Sequence, residues 1–147
     1  MIREQIQIVR RRLDDYASYK ALALEADRKA LETQVRIENF GQYQSPCWDK
    51  VAPIQNHSNW ASRLTELISD QQEYDRDAAR WHAAMFAIEN YIAGFEPEVR
   101  SVMELHFIDG VTFEDMEEIV GVSSSGLKNK IYRAMEAADF SKARALL

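Results

Sequence analysis

The fold of this chain is decided between Thr112 and Ala134, where the sequence reads TFEDMEEIVGVSSSGLKNKIYRA. Thr112 is placed to cap a short helix, with Asp115 three residues later as a weak version of the capping box. Gly121 is the expected terminator of that helix, because the residue after a helix often needs a positive φ. Ser123 can then cap a second helix. This stretch therefore predicts two helices joined by a tight turn.

A further helix is predicted in front of this pair. Glu96-Pro97-Glu98 suits a helix start, because proline is tolerated in the first turn and acids suit the positive helix end. Asp109-Gly110 is a turn signal that ends this helix. The residues expected to face inward are Val99, Val102, Met103, Leu105 and Phe107, then Phe113, Met116, Ile119 and Val120, then Leu127, Ile131, Ala134 and Met135. The layout is that of a helix-turn-helix.

Two segments of this module resemble region 4 of the sigma-70-like factors. They are VRSVMELHFIDGVTFED at residues 99–115, and Ile119-Val120-Gly121-Val122-Ser123 followed by Leu127, Lys128, Lys130, Ile131, Arg133 and Ala134. In that family the helix after the Gly-Val-Ser turn enters the major groove of DNA. The resemblance implies that Ser124, Ser125, Lys128, Asn129, Tyr132 and Arg133 face DNA and that Lys130 contacts a phosphate.

The residue types in this last helix agree with a DNA-binding surface. Residues 123–125 bring hydroxyl and free backbone N–H groups to a helix start, which is a phosphate-binding end. Lys128, Asn129 and Tyr132 fall on the outward arc when the apolar positions face inward. Asn and Arg side chains can pair with base edges, whereas Lys mainly supplies charge.

Three features depart from the family pattern. Glu117 stands where the family usually has a small residue, mostly Ala. Gly126 lies inside the expected recognition helix, where Gly costs about 1 kcal/mol relative to Ala. The first helix of the pair is acidic: residues 96–121 carry one base against eight acids, whereas residues 122–147 carry five bases against two acids. These features weaken the expectation of tight DNA binding.

Two long helices are predicted before the module. Residues 2–38 contain neither Gly nor Pro. Apolar residues recur there every three or four positions, at Ile2, Ile6, Val9, Leu13, Tyr16, Ala23, Ala30 and Ile37. Leu24, Leu31 and Val35 form a second, slightly rotated stripe. This combination predicts a helix that packs against more than one neighbour.

The second long helix is expected to start near Asn59, with Ser58 or Asn59 as its cap, and to end at Gly94. Its stripe is Trp60, Leu64, Leu67, Gln71, Tyr74, Ala78, Trp81, Met85, Ile88 and Ile92. A helix of about 35 residues is about 50 Å long and cannot bury such a stripe alone. The partner is the first helix in an antiparallel hairpin, a second copy of the chain, or both.

A connector at residues 40–58 separates these helices, because Gly41, Pro46 and Pro53 all disfavour helix. Its apolar residues are expected to pack on the helices; they are Tyr43, Trp48, Val51 and Ile54. We therefore expect an all-α chain in two parts. Residues 1–94 form a coiled-coil-like helical hairpin that also dimerises, and residues 95–147 form the helix-turn-helix domain.

The layout of the whole chain resembles phage-encoded regulators of the ArpU and RinA kind. Those proteins carry an N-terminal helical region, a Pro-containing connector, a long helix and a terminal region 4-like module. The resemblance implies control of phage or prophage late genes in the cytoplasm of a bacterial host cell.

Composition excludes several other classes of protein. No apolar run approaches the about 20 residues that a membrane-spanning helix needs. Cys47 is the only cysteine, and His57, His82 and His106 have no metal-ligand spacing, so neither a disulfide nor a metal site is expected. No common catalytic motif is present. We expect a protein that is not an enzyme and that holds no cofactor and no metal.

Three functions stay open on the sequence. The leading interpretation is a dimeric regulator of transcription that reads a symmetric site in double-stranded DNA. The second is a protein-interaction module of the same fold that binds RNA polymerase or another host protein. The net charge of −6 argues against a protein that coats nucleic acid generically. The third is a small terminase subunit, which recognises packaging sites and assembles into rings.

Overall fold

The computed structural model describes residues 1–42 and 54–147. Its α-helices are α1 (Arg3–Asp14), α2 (Tyr16–Gln42), α3 (Ile54–Ala93), α4 (Pro97–Met103), α5 (Phe113–Val120), α6 (Ser124–Ala137) and α7 (Phe140–Ala143). A π-helical turn, Glu104–Ile108, follows α4, and a 3₁₀ turn, Arg144–Leu146, follows α7. No strand occurs within the two described ranges, which confirms the all-α prediction. In the same ranges, no helix has the length and apolar character to cross a membrane.

The first predicted helix is divided in two at Asp15. This residue has φ −81° and ψ 0° and separates α1 from α2. The prediction of one uninterrupted helix was wrong at this point. Aspartate is a poor helix former, because its carboxylate competes for backbone N–H groups.

Both long helices extend into the predicted connector. α2 continues to Gln42, and α3 begins at Ile54, upstream of the start near Asn59 that the capping residues predicted. The ring of Phe40 stacks on that of Trp60 with centroids 5.3 Å apart, so a tertiary contact supports helix at both edges of this segment. The rest of the connector, including Tyr43, Trp48 and Val51, lies outside the described residues.

The described chain forms two compact units. One, here called the hairpin unit, is Ala21–Trp81; the other, here called the core unit, is Met1–Lys20 together with His82–Leu147. In the hairpin unit, the Nζ atom of Lys29 lies 5.7 Å from the ring centroid of Tyr74. Phe40, later in α2, meets Trp60, earlier in α3. This crossing order is that of an antiparallel hairpin, one of the arrangements that the periodicity left open.

Small side chains fill the interior of the hairpin unit. Its buried residues among those described are Ala23, Ala26, Thr33 and Ala78. The buried stripe of α2 therefore runs through Ala23, Ala26 and Thr33, and Ala30 and Ile37 of the predicted stripe are half-buried. On α3, all ten predicted stripe positions are buried or half-buried.

Large side chains from both ends of the chain fill the core unit. Ile6 and Leu13 of α1 share one apolar cluster with Ile88 of α3, Met116 of α5 and Leu127 of α6. The hydroxyl of Tyr16 donates a hydrogen bond of 2.5 Å to Oε1 of Glu89, 73 positions later. The N-terminal helix is thus part of the same core as the helix-turn-helix.

The predicted inward-facing residues of the module are buried or half-buried with two exceptions. Val99, Val102, Met103, Phe107, Phe113, Met116, Leu127, Ile131 and Met135 are buried, and Leu105 and Ala134 are half-buried. Ile119 is 68% exposed and Val120 is 42% exposed, so the prediction was wrong for both. They belong to the last turn of α5, which extends past the residues on which that helix packs.

Candidate DNA-binding surface

Three local hydrogen bonds mark the start and the end of α5 and the start of α6. Oγ1 of Thr112 accepts the N–H of Asp115 at 3.2 Å, which caps α5. Gly121 has φ 76° and donates its N–H to the carbonyl of Glu117 at 3.0 Å. Oγ of Ser123 accepts the N–H of Gly126 at 3.1 Å and caps α6. Both predicted caps and the predicted terminator are therefore confirmed.

Two of the three departures from the family pattern have simple structural accounts. Because α6 begins at Ser124, Gly126 is in its first turn rather than in its middle. A Cβ atom there would lie 3.1 Å from Oγ of Ser123 and 3.2 Å from Cγ1 of Val122, so a glycine fits the cap closely. Glu117 is exposed, and its side chain points away from the packed face of α5.

The buried and exposed faces of α6 follow the helical period. Leu127, Ile131 and Met135 are buried on the inner face. The exposed residues on the opposite side include Ser125, Asn129, Arg133 and the 36%-exposed Tyr132. An amide, a guanidinium and a phenol thus stand on one accessible helix face, and such groups can hydrogen-bond to base edges and phosphates.

The two lysines of α6 lie on different flanks of this face. The Nζ atom of Lys128 is 5.5 Å from the ring centroid of Phe113, a cation–π contact with the start of α5. The Nζ atom of Lys130 is 3.0 Å from Oε2 of Glu98 on α4. Lys130 therefore has a carboxylate partner within the chain, whereas Lys128 makes no ion pair among the described residues.

The remaining predicted contact residues lie at the start of α6. Ser123 is its exposed cap, Ser124 is half-buried and Ser125 is exposed. The structure therefore brings Ser123, Ser125, Lys128, Asn129, Tyr132 and Arg133 to one side of α6 and its cap, and it places Lys130 beside α4.

His106 supports this surface. The sequence interpretation did not identify this role of His106. Its Nδ1 donates to the carbonyl oxygen of Val111 at 2.9 Å, because a carbonyl can only accept. Its ring stacks on that of Phe113, with centroids 3.8 Å apart and planes 23° apart. The ring of Phe113 thus contacts both His106 and Lys128. An aromatic residue three positions after the Asp-Gly turn and a histidine before it were the available signal.

These features define the class of protein module: α5, the Gly121 turn and α6 form a helix-turn-helix, with α4 packed behind them. The family model of sigma-70 region 4 matches residues 85–137, from within α3 to the last residue of α6. This part of the chain is therefore similar to sigma-70 region 4, a non-enzymatic helix-turn-helix domain whose members bind DNA and RNA polymerase. Comparisons with curated proteins and with solved structures give no significant match.

Proposed function

We propose that this protein is a DNA-binding regulator of transcription and that α6 is its recognition helix. The observation that carries the proposal is the exposed face of α6, where Asn129, Tyr132 and Arg133 stand beside a serine-capped helix start. Asn129 and Arg133 are the candidates for paired hydrogen bonds to base edges. Ser123, Ser124, Ser125 and Lys128 are the candidates for phosphate contacts.

The affinity of one subunit for DNA should be modest and sensitive to salt. Lys130 is the weakest of the proposed contacts, because binding a phosphate requires it to leave Glu98. Lys128 and Arg133 then supply most of the positive charge of α6. Each phosphate neutralised by a side chain contributes about 0.9 to the slope of log affinity against log salt concentration.

We also propose that the hairpin unit forms a homodimer. Leu24, Leu31 and Val35 lie along one side of α2 and are 60%, 63% and 44% exposed. Their spacing of seven and four residues is typical of a helix–helix contact. The interior of the hairpin does not bury these large side chains. A second copy of the same hairpin would cover them with its own stripe. Two recognition helices held in this way would read a site with two-fold symmetry.

Sedimentation equilibrium tests the dimer. We expect twice the 17.0 kDa mass of the chain for the wild type, and a large shift toward the monomer for Leu31→Glu. Glu32→Gln, a charge change at the neighbouring exposed position, is the matched control and should stay dimeric. A monomeric wild type would rule out this dimer, and a mass several times larger would favour a ring of the small-terminase kind.

The biological setting that fits best is a phage or prophage regulator of the ArpU and RinA kind, acting in the cytoplasm of a bacterial host. The order of elements supports this proposal: a helical N-terminal region, a Pro-containing segment, a long helix and a region 4-like module.

A second candidate function is binding of a protein such as RNA polymerase. The observation that favours it is a cluster of exposed apolar residues at the end of α5 and in the turn. Ile119, Val120 and Val122 are 68%, 42% and 41% exposed. Exposed apolar clusters of this kind are typical of protein contacts.

A genome-wide pull-down of DNA bound to the tagged protein separates the two functions. The test variant is Lys128→Glu with Arg133→Glu, and the matched control is Lys142→Glu with Arg144→Glu, which makes the same charge change outside α6. Sharp peaks at promoters that vanish only in the test variant would establish DNA reading. No peaks, with RNA polymerase co-purifying equally with both variants, would replace the first function by the second.

A further inference from the structure

The N-terminal helix α1 lies against the recognition helix. Ile6 of α1 and Leu127, Ile131 and Met135 of α6 belong to one apolar cluster. Arg10 of α1 lines a shallow depression together with Phe113, Lys128, Ile131 and Tyr132. A guanidinium from outside the family match therefore stands beside two of the residues proposed to face DNA.

The helical period explains why Arg10 is at this edge and its neighbours are not. Ile6 is buried in the core, and Arg10, four residues later, is offset from it by only about 40° around the helix axis. Arg11 is turned by about a further 100° and lines no part of the depression. Arg12 is rotated by about 100° more around the helix axis. It donates a hydrogen bond of 3.0 Å to the hydroxyl of Tyr19.

The positive charge at this edge has no acidic partner among the described residues. Arg10 and Lys128 each form no ion pair there, although Asp14 lies one helical turn after Arg10. A base placed four residues before an acid is the less favourable order for a helical ion pair. Two cations of like sign beside an exposed phenol match a site for an anionic group, because an anion would relieve their repulsion.

We propose that Arg10 is a DNA-phosphate contact, so that the DNA-binding surface consists of α1 and α6 together. This inference rests on the proposed function, since it takes α6 as the helix that enters the groove. With α6 in the major groove, α1 lies along its Lys128 and Tyr132 flank, where the sugar-phosphate backbone passes. Arginine suits this role because its planar donors can hold two phosphate oxygens at once. The contact is sequence-independent and sets the register of α6 on the duplex.

Salt-dependent binding tests the contact. Fluorescence anisotropy would follow binding to labelled duplexes of random sequence, about 30 base pairs long, over about 50 to 200 mM salt, because non-specific affinity comes from phosphate contacts. We expect Arg10→Gln to reduce the slope of log affinity against log salt by about 0.9. The matched control Arg11→Gln removes the same charge from the next position and should keep the wild-type slope. Arg10→Lys retains a charge at the same place and should also keep it.

The outcomes separate this inference from the function on which it rests. In one outcome, the wild type binds and Lys128→Gln lowers the slope, but Arg10→Gln and Arg11→Gln have the same slope. The proposed α1 contact is then wrong, and the proposed role of α6 as the recognition helix is retained. If the wild type does not bind these duplexes at all, the proposed function and the α1 contact fall together. Thermal unfolding of Arg10→Lys and Arg10→Gln, which should agree, excludes loss of folding as the cause of a lower slope.

Discussion

The core unit and the hairpin unit bury different kinds of side chain. The core unit encloses large residues that are almost fully buried, among them Ile6, Leu13, Ile88 and Met116. The buried residues of the described hairpin unit are alanines and one threonine, and Leu22, Leu24 and Leu31 of α2 are exposed. Because apolar stabilisation grows with the buried area, at about 25 cal/mol per Å², the core unit supplies most of the stability of the isolated chain.

This difference assigns different roles to similar sequence patterns. Both units come from helices with apolar residues every three or four positions, so periodicity alone does not distinguish them. In the core unit, the apolar residues of each helix pack against residues of several other helices in one cluster. In the hairpin unit, only small side chains are fully buried, and the second stripe of α2 stays exposed. The first arrangement is suited to holding a recognition helix, and the second to association.

Leu13→Ala against Leu31→Ala gives the largest expected contrast. Leu13 is fully buried, whereas Leu31 is 63% exposed. We expect Leu13→Ala to lower the free energy of unfolding by about 3 kcal/mol, as for other buried leucines. Leu31→Ala should change it by less than about 0.5 kcal/mol at concentrations where the chain is monomeric. Urea unfolding followed by circular dichroism measures both variants.

At those concentrations, loss of DNA binding by the single subunit should accompany the first change and not the second. Leu13 lies far before the region 4 match in sequence, but it shares a cluster with Leu127 and Ile131 of the recognition helix. Equal stabilities for the two variants would contradict the assignment of α1 to the core unit.

Local signals in the sequence were enough to predict the helix-turn-helix. The cap at Thr112, the positive φ of Gly121 and the cap at Ser123 depend on neighbours within a few residues, and all three are found. The α3 stripe was equally clear, because its period persists over the length of the helix. Features that depend on residues close together in the chain could therefore be predicted from the sequence.

Contacts between distant segments could not be predicted in this way. The pairing of Lys130 with Glu98 and the position of Arg10 beside Lys128 depend on how α1, α4 and α6 pack. The exposure of Ile119 has the same origin, since only the tertiary structure shows where the partner of α5 ends. For this reason the members of the proposed DNA-binding surface on α6 could be predicted from the sequence, whereas its proposed extension on α1 could not.

The Tyr16–Glu89 hydrogen bond gives a second, smaller contrast between the units. Tyr16→Phe in the core unit removes a bond to a carboxylate that joins α2 to α3, and we expect a loss of about 1.5 kcal/mol. Thr33→Ala in the hairpin unit also removes a hydroxyl, but Oγ1 of Thr33 donates to the carbonyl of Lys29 in its own helix. That loss should stay below about 0.5 kcal/mol, because Ala is the better helix former. Similar losses in urea unfolding would mean that the two units depend equally on such bonds.

Tyr91→Phe should have a smaller effect than Tyr16→Phe, and one of opposite sign. The hydroxyl of Tyr91 is buried and has no hydrogen-bond partner among the described residues. The ring itself makes an edge contact with Phe95, with centroids 5.1 Å apart, which a phenylalanine would keep. Removal of the unsatisfied hydroxyl should therefore raise the free energy of unfolding by about 1 kcal/mol at neutral pH.

The same variant should also flatten the loss of stability in alkali. Burial raises the pKa of Tyr91 to about 12, whereas an unperturbed tyrosine titrates near about 10. Because the folded state holds the phenolic proton more tightly, stability is complete below about pH 10 and falls as the pH rises toward 12. Tyr16, whose pKa burial and the bond to Glu89 also raise to about 12, keeps part of this dependence in the variant. The measurement is the difference between the urea midpoints at pH 8 and pH 11. This difference should be smaller in Tyr91→Phe than in the wild type. An unchanged difference would place the Tyr91 hydroxyl in water rather than in the core unit.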